Sequence, residues 1–183
     1  SSCAVYGDQP ILPFREDMKA SPKSPYALHK LTGEHMMQLW CELYGVETLS
    51  FRFFNVYGEG MNPNGAYASV VARFLRLKKE GKPLTITGDG TQTRDFIHVR
   101  DVTKAIVSAL LLPKLDGSAI NLGSGIQTSV NEVAHMIGGV SEYVPARTEL
   151  SFVAADITRA RELLSWSPSI SFDVGLQELL QTS

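Results

Sequence analysis

Apolar and polar positions alternate along this chain at two periods, and each change of period marks an element. Leu28, Leu31, Leu39 and Leu43 recur at roughly helical spacing. Ser24 stands where an N-cap belongs, Pro25 fits the first helical position and Gly45 follows the last turn, so the pattern predicts a helix between them. Val46–Phe54 is short, apolar and bounded by turns, as a buried strand would be. Asn55–Ala66 reads as loop. Val70, Val71, Phe74, Leu75 and Leu77 mark a second helix closed by Gly81. Pro83–Thr87 and Asp95–Val99 read as short strands. Asp101 is placed to cap a helix with Val102, Ala105, Ile106, Ala109 and Leu110 on one face. Ser118–Gly123 is a further strand. Ser129 and Glu132 have the spacing of a capping box, opening a helix that stops at Gly138-Gly139. Glu149–Asp156 is strand-like, a helix runs from Asp156 through Leu164, and a last one starts near Asp173. The aperiodic, proline-rich stretch 8–23 reads as loop. Strands alternating with helices predict an α/β protein with a mostly parallel sheet.

Composition narrows the classes. A chain of 183 residues is one domain, or a domain with a small lobe, and 44% apolar residues support a real core. A net charge of −2 offers no electrostatic basis for nucleic acid or an anionic membrane. The longest apolar runs, such as Ala105–Leu112, are far too short to span a bilayer. Two cysteines, Cys3 and Cys41, form neither a disulfide framework nor a zinc spacing. His29, His35, His98 and His135 show no metal-ligand spacing, so no metal site is expected. With no visible signal peptide, a cytoplasmic location is the default expectation. Trp40 and Trp166 are expected to pack in the core or the lobe.

The stretch with most chemistry in it is Ser24–Lys30. Tyr26 and Lys30 lie four apart on the predicted helix and share a face. A tyrosine with an ordinary pKa of about 10 is a poor base at neutral pH, and a neighbouring ammonium favours its phenolate. Such a pair can serve as a tuned acid/base. By itself the spacing is common, and a half-buried Tyr beside a solvated Lys is the plainer account. Upstream, Ser2 sits at a strand end, where its hydroxyl can bond a phenol or a substrate oxygen. Of three Gly-x-Gly pieces (58–60, 88–90 and 123–125), only the last follows a strand and precedes a helix. It lacks the third glycine of a dinucleotide fingerprint.

Four blocks change the picture together: Ser24–Lys30, Arg52–Gly58, Gly88–Val102 and Ile120–Ala134. In order and spacing the chain resembles the extended short-chain dehydrogenase/reductase family, within it the NAD-dependent sugar-nucleotide epimerases and dehydratases, over nearly its whole length. The resemblance implies the C-terminal part of a Rossmann-like parallel sheet plus a small α/β substrate-binding lobe. Residues 1–58 would be a Rossmann segment with the Tyr/Lys helix. Residues 59–183 would be mainly lobe, with 88–122 returning to the Rossmann part. It implies that Ser2, Tyr26 and Lys30 are catalytic: Tyr26 as base on the sugar 4-hydroxyl, Ser2 as its hydroxyl partner, and Lys30 lowering the Tyr26 pKa. Tyr26 and Lys30 would also face the NAD cofactor, with Lys30 on the nicotinamide ribose. Asn55, Arg94 and Arg147 would hold the nucleotide sugar, the arginines at its diphosphate. Around Arg147 the chain departs from the family's Arg-x-Gly-Glu/Asp, because Arg147-Thr148-Glu149 lacks the glycine and brings the acid one position early.

Within the family, dehydratases place Thr-Asp-Glu where this chain has Ser2-Cys3-Ala4, so no carboxylate stands ready to eliminate water. Some 3,5-epimerases place a Cys near here. Anchored on Tyr6, that Cys falls at Ala4, and strand alternation would turn Cys3 to the other face. A UDP-hexose 4-epimerase is the resulting expectation. A nucleotide-sugar binding or oligomeric interaction module without catalysis is the alternative, with the dehydratases and 3,5-epimerase/reductases behind it. The family's Gly-x-x-Gly-x-x-Gly turn for the NAD pyrophosphate does not occur among these 183 residues. The expectation is therefore the C-terminal part of an epimerase-like chain, inactive alone. It would be drawn to homo-oligomers or to a missing N-terminal half, because open strand edges invite pairing. Leu39, Trp40 and Leu43 are the expected contributors to a helical dimer interface.

Overall fold

The computed structural model describes residues 1–65, 69–146 and 151–182. Its helices are α1 (Pro25–Tyr44), α2 (Val70–Lys79), α3 (Val99–Leu110), α4 (Val130–Ile137), α5 (Thr158–Leu164) and α6 (Phe172–Thr182). Its strands are β1 (Ser50–Phe53), β2 (Asn55–Tyr57), β3 (Leu84–Thr87), β4 (Thr93–His98), β5 (Ala119–Leu122), β6 (Gln127–Ser129) and β7 (Ser141–Val144). Parallel pairs β1–β5, β2–β4 and β3–β7 bear out the α/β expectation, and among the described residues only β4–β6 runs antiparallel.

Local chemistry accounts for the helix ends. Ser24 caps α1 by accepting from Ala27 N, and Gly45 closes the helix with a left-handed φ of 67°. Ser129 and Glu132 form the expected capping box on α4. Asp101 does not cap α3. The cap is His98, whose Nδ1 accepts from Arg100 N at 3.1 Å. Asp101 lies in the first turn, wholly buried, and accepts from Ser169 N at 2.8 Å and Ile170 N at 2.9 Å. The carboxylate was needed one turn further in, to tie down the segment leading into α6.

Four strand expectations change. Asn55–Tyr57 is a strand, because Asn55, Val56 and Tyr57 pair with Phe96, Ile97 and His98. Gln127–Ser129 and Ser141–Val144 are strands with too little apolar pattern to announce themselves. Residues 151–156 of the strand-like stretch form no strand beyond a bridge between Phe14 and Ala155, while 149–150 lie outside the described residues.

Alternation on β4 divides the interior. Phe96 joins a core with Tyr57, Phe74, Leu84, Val133 and Leu176, and Ile97 points into another with Val102, Ala105, Ile120, Leu122 and Trp166. β1 is two-faced in the same way. Phe51 and Phe53 pack on the second core, and Arg52 between them faces α1. A third cluster gathers Val5, Tyr6, Phe14 and Phe54 around the N-terminal turn. Trp166 is buried as expected. Trp40 is not: it is 45% exposed and lies against Tyr44 on the outer face of α1. No helix among the described residues is long and apolar enough to cross a membrane.

Candidate functional site

α1 sets the position of the Tyr/Lys pair. Tyr26 and Lys30 occupy its first two turns, with the Lys30 ammonium 5.5 Å from the Tyr26 ring centroid. Tyr26 is 40% exposed, open to an incoming ligand. Beside them runs the N-terminal segment. Ser2 forms a parallel bridge with Phe53, then its Oγ accepts from Ala4 N at 3.2 Å and opens a single 3-10 turn, Cys3–Tyr6, against which α1 packs. The segment is therefore a strand for one residue only. Alternation does not govern Cys3, which corrects the expectation of an opposite-facing side chain. Its thiol senses the charges of Asp95 and Arg94 and is pushed up to about 12, chiefly by burial. Cys3 is a neutral thiol, not a nucleophile.

Across that turn lies β4. Asn55 at the start of β2 donates to the Asp95 carbonyl at 3.2 Å, and Arg94 donates to the Thr93 carbonyl at 2.8 Å. The 3-10 turn thus packs against α1, the helix that carries Tyr26 and Lys30, and its Cys3 lies within electrostatic reach of Arg94 and Asp95. Five of the six expected site residues, Ser2, Tyr26, Lys30, Asn55 and Arg94, lie among the described residues. Arg147, with Glu149, lies outside the described residues.

Two features were missed by sequence reasoning. The first is a buried ion pair at α1, one turn past Lys30. Glu34 continues the Tyr26, Lys30 ladder by one more turn and receives two hydrogen bonds from Arg52, at 2.9 and 2.8 Å. Arg52 also donates to Tyr6 Oη at 3.0 Å, and Tyr6 donates to Asn121 Oδ1 at 2.6 Å. Burial works to raise the Glu34 pKa, but bonds from Arg52 and Ser1 win and hold it below the usual carboxylate value. The Tyr6 phenol is pushed up to about 12 by burial, despite Arg52, and is no base. An acidic residue at i+8 from Tyr26 was the available signal.

The second is Asp95, fully buried. Its Oδ1 accepts from Ser124 N at 2.6 Å and Ser124 Oγ at 2.7 Å, its Oδ2 from Gly125 N and Ala155 N at 2.9 Å each. Burial pushes this carboxyl up, and the four bonds pull the other way. The consequence for the Gly123-Ser124-Gly125 turn is direct. Amides that could face a phosphate are already engaged, and a Cβ on Gly123 would sit 2.6 Å from Ala155 Cβ.

Glu59, His98 and Glu178 bring three possible ligand atoms within 4.8 Å of one another. Arg100 pairs with both carboxylates there. Because His98 Nδ1 accepts a backbone hydrogen bond, its neutral ring carries the proton on Nε2 and has no lone pair to offer. That chemistry suits a cationic side chain, not a metal. A 350 Å³ apolar cleft between the 58–63 loop and α2, and a 410 Å³ polar cavity behind α1 beside Glu34 and Arg52, are lined by none of the expected site residues.

Comparison with known proteins bears on the family and the fold. Residues 1–123 match the family model described as the NAD dependent epimerase/dehydratase family. The chain is 36% identical to the UDP-glucose 4-epimerase of Mycolicibacterium smegmatis over 99% of its length, covering 59% of that protein. It superposes with a TM-score of 0.93 at 30% identity on the UDP-N-acetylglucosamine 4-epimerase of Methanobrevibacter ruminantium, solved with UDP-N-acetylmuramic acid, covering 99% of this chain and 60% of that one. With the UDP-glucuronic acid 4-epimerase of Bacillus cereus, solved with UDP-glucuronic acid and NAD, the values are 0.89 and 32%, covering 100% of this chain and 60% of that one. The chain thus spans about 60% of the length of the relatives it matches.

Proposed function

The chain belongs to the NAD-dependent epimerase/dehydratase family, and on that footing we propose that it carries the acid/base and nucleotide-sugar end of a UDP-hexose 4-epimerase. The observation that carries this is the Tyr26/Lys30 pair, set beside a Ser2-Cys3-Ala4 turn with no carboxylate in it. Tyr26 as phenolate takes the proton of the sugar 4-hydroxyl and holds it at Oη. Lys30 stabilises the phenolate, and the Ser2 hydroxyl bonds the same oxygen while charge moves. NAD, when bound, takes up the C4 hydride and returns it to the opposite face. Tyr26 and Lys30 fit the nicotinamide-ribose end of that cofactor. The glycine turn at 123–125, with its amides on Asp95, does not fit the pyrophosphate end. Asn55, Arg94 and Arg147 hold the nucleotide diphosphate, where guanidinium groups bond bidentately.

These 183 residues by themselves bind UDP but do not turn over. Calorimetry with UDP and NMR detection of the C4 epimer, with NAD and UDP-glucose supplied, test both halves. Robust epimer formation overturns the inactivity. A folded sample giving no heat at millimolar UDP overturns the binding site and leaves an interaction module.

The outer face of α1 supports a second proposal, self-association. Leu39, Trp40 and Leu43 are 51%, 45% and 67% exposed on a helix of twenty residues that buries only Ala27 and Glu34. Light scattering tests it, and a clean monomer would refute it.

A further inference from the structure

The six residues of β4 are held by two partners in tandem. β6 pairs with Thr93, Arg94 and Asp95, and β2 pairs with Phe96, Ile97 and His98. Among the described residues no β4 residue belongs to both ladders, Thr93 N also bonds the Ser151 carbonyl at 2.9 Å, and the junction falls directly after Asp95. Asn55 is laddered to Phe96 and Arg94 to Thr128, so the two residues meet through different ladders of one continuous strand, with Asp95 at the junction.

The Asp95 side chain ties this junction to two neighbouring segments. One buried carboxylate draws in the turn after β5 through Ser124 and Gly125, and the 154–155 segment through Ala155 N. The Asp95 carbonyl receives the Asn55 amide, and Arg94 is its immediate neighbour in the strand. Every acceptor direction of the carboxylate is occupied by a donor, most of them backbone, so it neither shuttles protons nor touches a ligand.

We propose that Asp95 is a positioning residue for the diphosphate end of the site, holding Arg94 and Asn55 in one arrangement across this junction of β4. This rests on reading those two side chains as nucleotide-sugar contacts. In Asp95→Asn the amide nitrogen, if placed at Oδ2, faces the N–H groups of Gly125 and Ala155. If it is placed at Oδ1, it faces Ser124 N. Either way donor meets donor and the tie at the junction is lost. Ser124→Ala removes only the hydroxyl bond and serves as the mild variant should Asp95→Asn fail to fold.

Calorimetry of the 183-residue chain with UDP and with uridine separates positioning from general structural support. The wild-type chain binds UDP more tightly than uridine, and Arg94→Ala reduces that preference. Asp95→Asn weakens UDP about tenfold, the size expected for a misplaced charge-assisted contact, and uridine less than about twofold. Ser124→Ala does the same to a smaller extent. Equal loss of both ligands marks a global effect and overturns the proposal, as does unchanged UDP affinity in a folded Asp95→Asn or Ser124→Ala. A wild-type chain that does not distinguish UDP from uridine defeats the underlying site assignment instead, and the proposal with it.

Discussion

Replacing Glu34 by Ala would leave the Arg52 guanidinium buried with two remaining partners, the Tyr6 hydroxyl at 3.0 Å and the Glu16 carbonyl at 3.3 Å. The two side chains are 8% and 7% exposed, although the 410 Å³ polar cavity lies beside them. Breaking a buried pair from one side costs about 3–5 kcal/mol, because it strands the other charge. In a chain of this size, that lowers Tm by roughly 6–20 °C. Removing both charges is different. Glu34→Leu with Arg52→Met should recover most of the loss, since an apolar pair of similar volume avoids the desolvation of both ions. Urea unfolding followed by tryptophan fluorescence gives each stability and the coupling between the sites. The dependence on pH checks the charge. The folded Glu34 pKa lies below its ordinary 4.5, so its contribution is whole above that value and is lost as pH falls through the folded value. A Glu34→Ala loss under about 1 kcal/mol, the scale of an exposed pair, would show that the pair is open to solvent and refute the reasoning.

Three further outcomes follow from local geometry. Ser129→Ala removes half of the α4 capping box and should cost about 0.5–2 kcal/mol, read by the same unfolding assay. Gly175→Ala places a Cβ 2.7 Å from His98 Cδ2 and against Tyr57 Oη, so α6 must lift from its seat; Tm should drop and amide exchange in α6 should rise. Burial first, then the Arg100 charge, lowers the His98 pKa from 6.5, so the unfolded chain binds a proton before the folded one does. Stability therefore falls as pH drops below 6.5 towards the folded value, and His98→Asn, which can still cap α3, should flatten that slope in unfolding titrations from pH 7.5 to 5.5.

Much of this protein is written locally. The caps at Ser24 and Ser129, the left-handed Gly45 and the apolar periods of α1, α2 and α3 depend on neighbours within a few residues, and the chain displays them directly. The Tyr26/Lys30 pair is equally legible, since a helix puts i and i+4 on one face whatever surrounds it. Strands β2, β6 and β7 were not legible. Three or four residues with at most two apolar positions carry no period, and only the partner strand makes them strands. The same holds for the charges. Asp101, Asp95 and Arg52 look like surface residues in sequence, yet all three are buried. Their hydrogen-bond partners lie 68, 60 and 18 positions away. A buried carboxylate needs donors on every side, and only the packed chain brings those together. By itself, then, the sequence determined which helix bears the Tyr26/Lys30 pair and that the two side chains share a face. The tertiary structure decided that Glu34 is paired with Arg52 and that Asp95 is buried among donors, because those depend on donors and acceptors far apart in the chain.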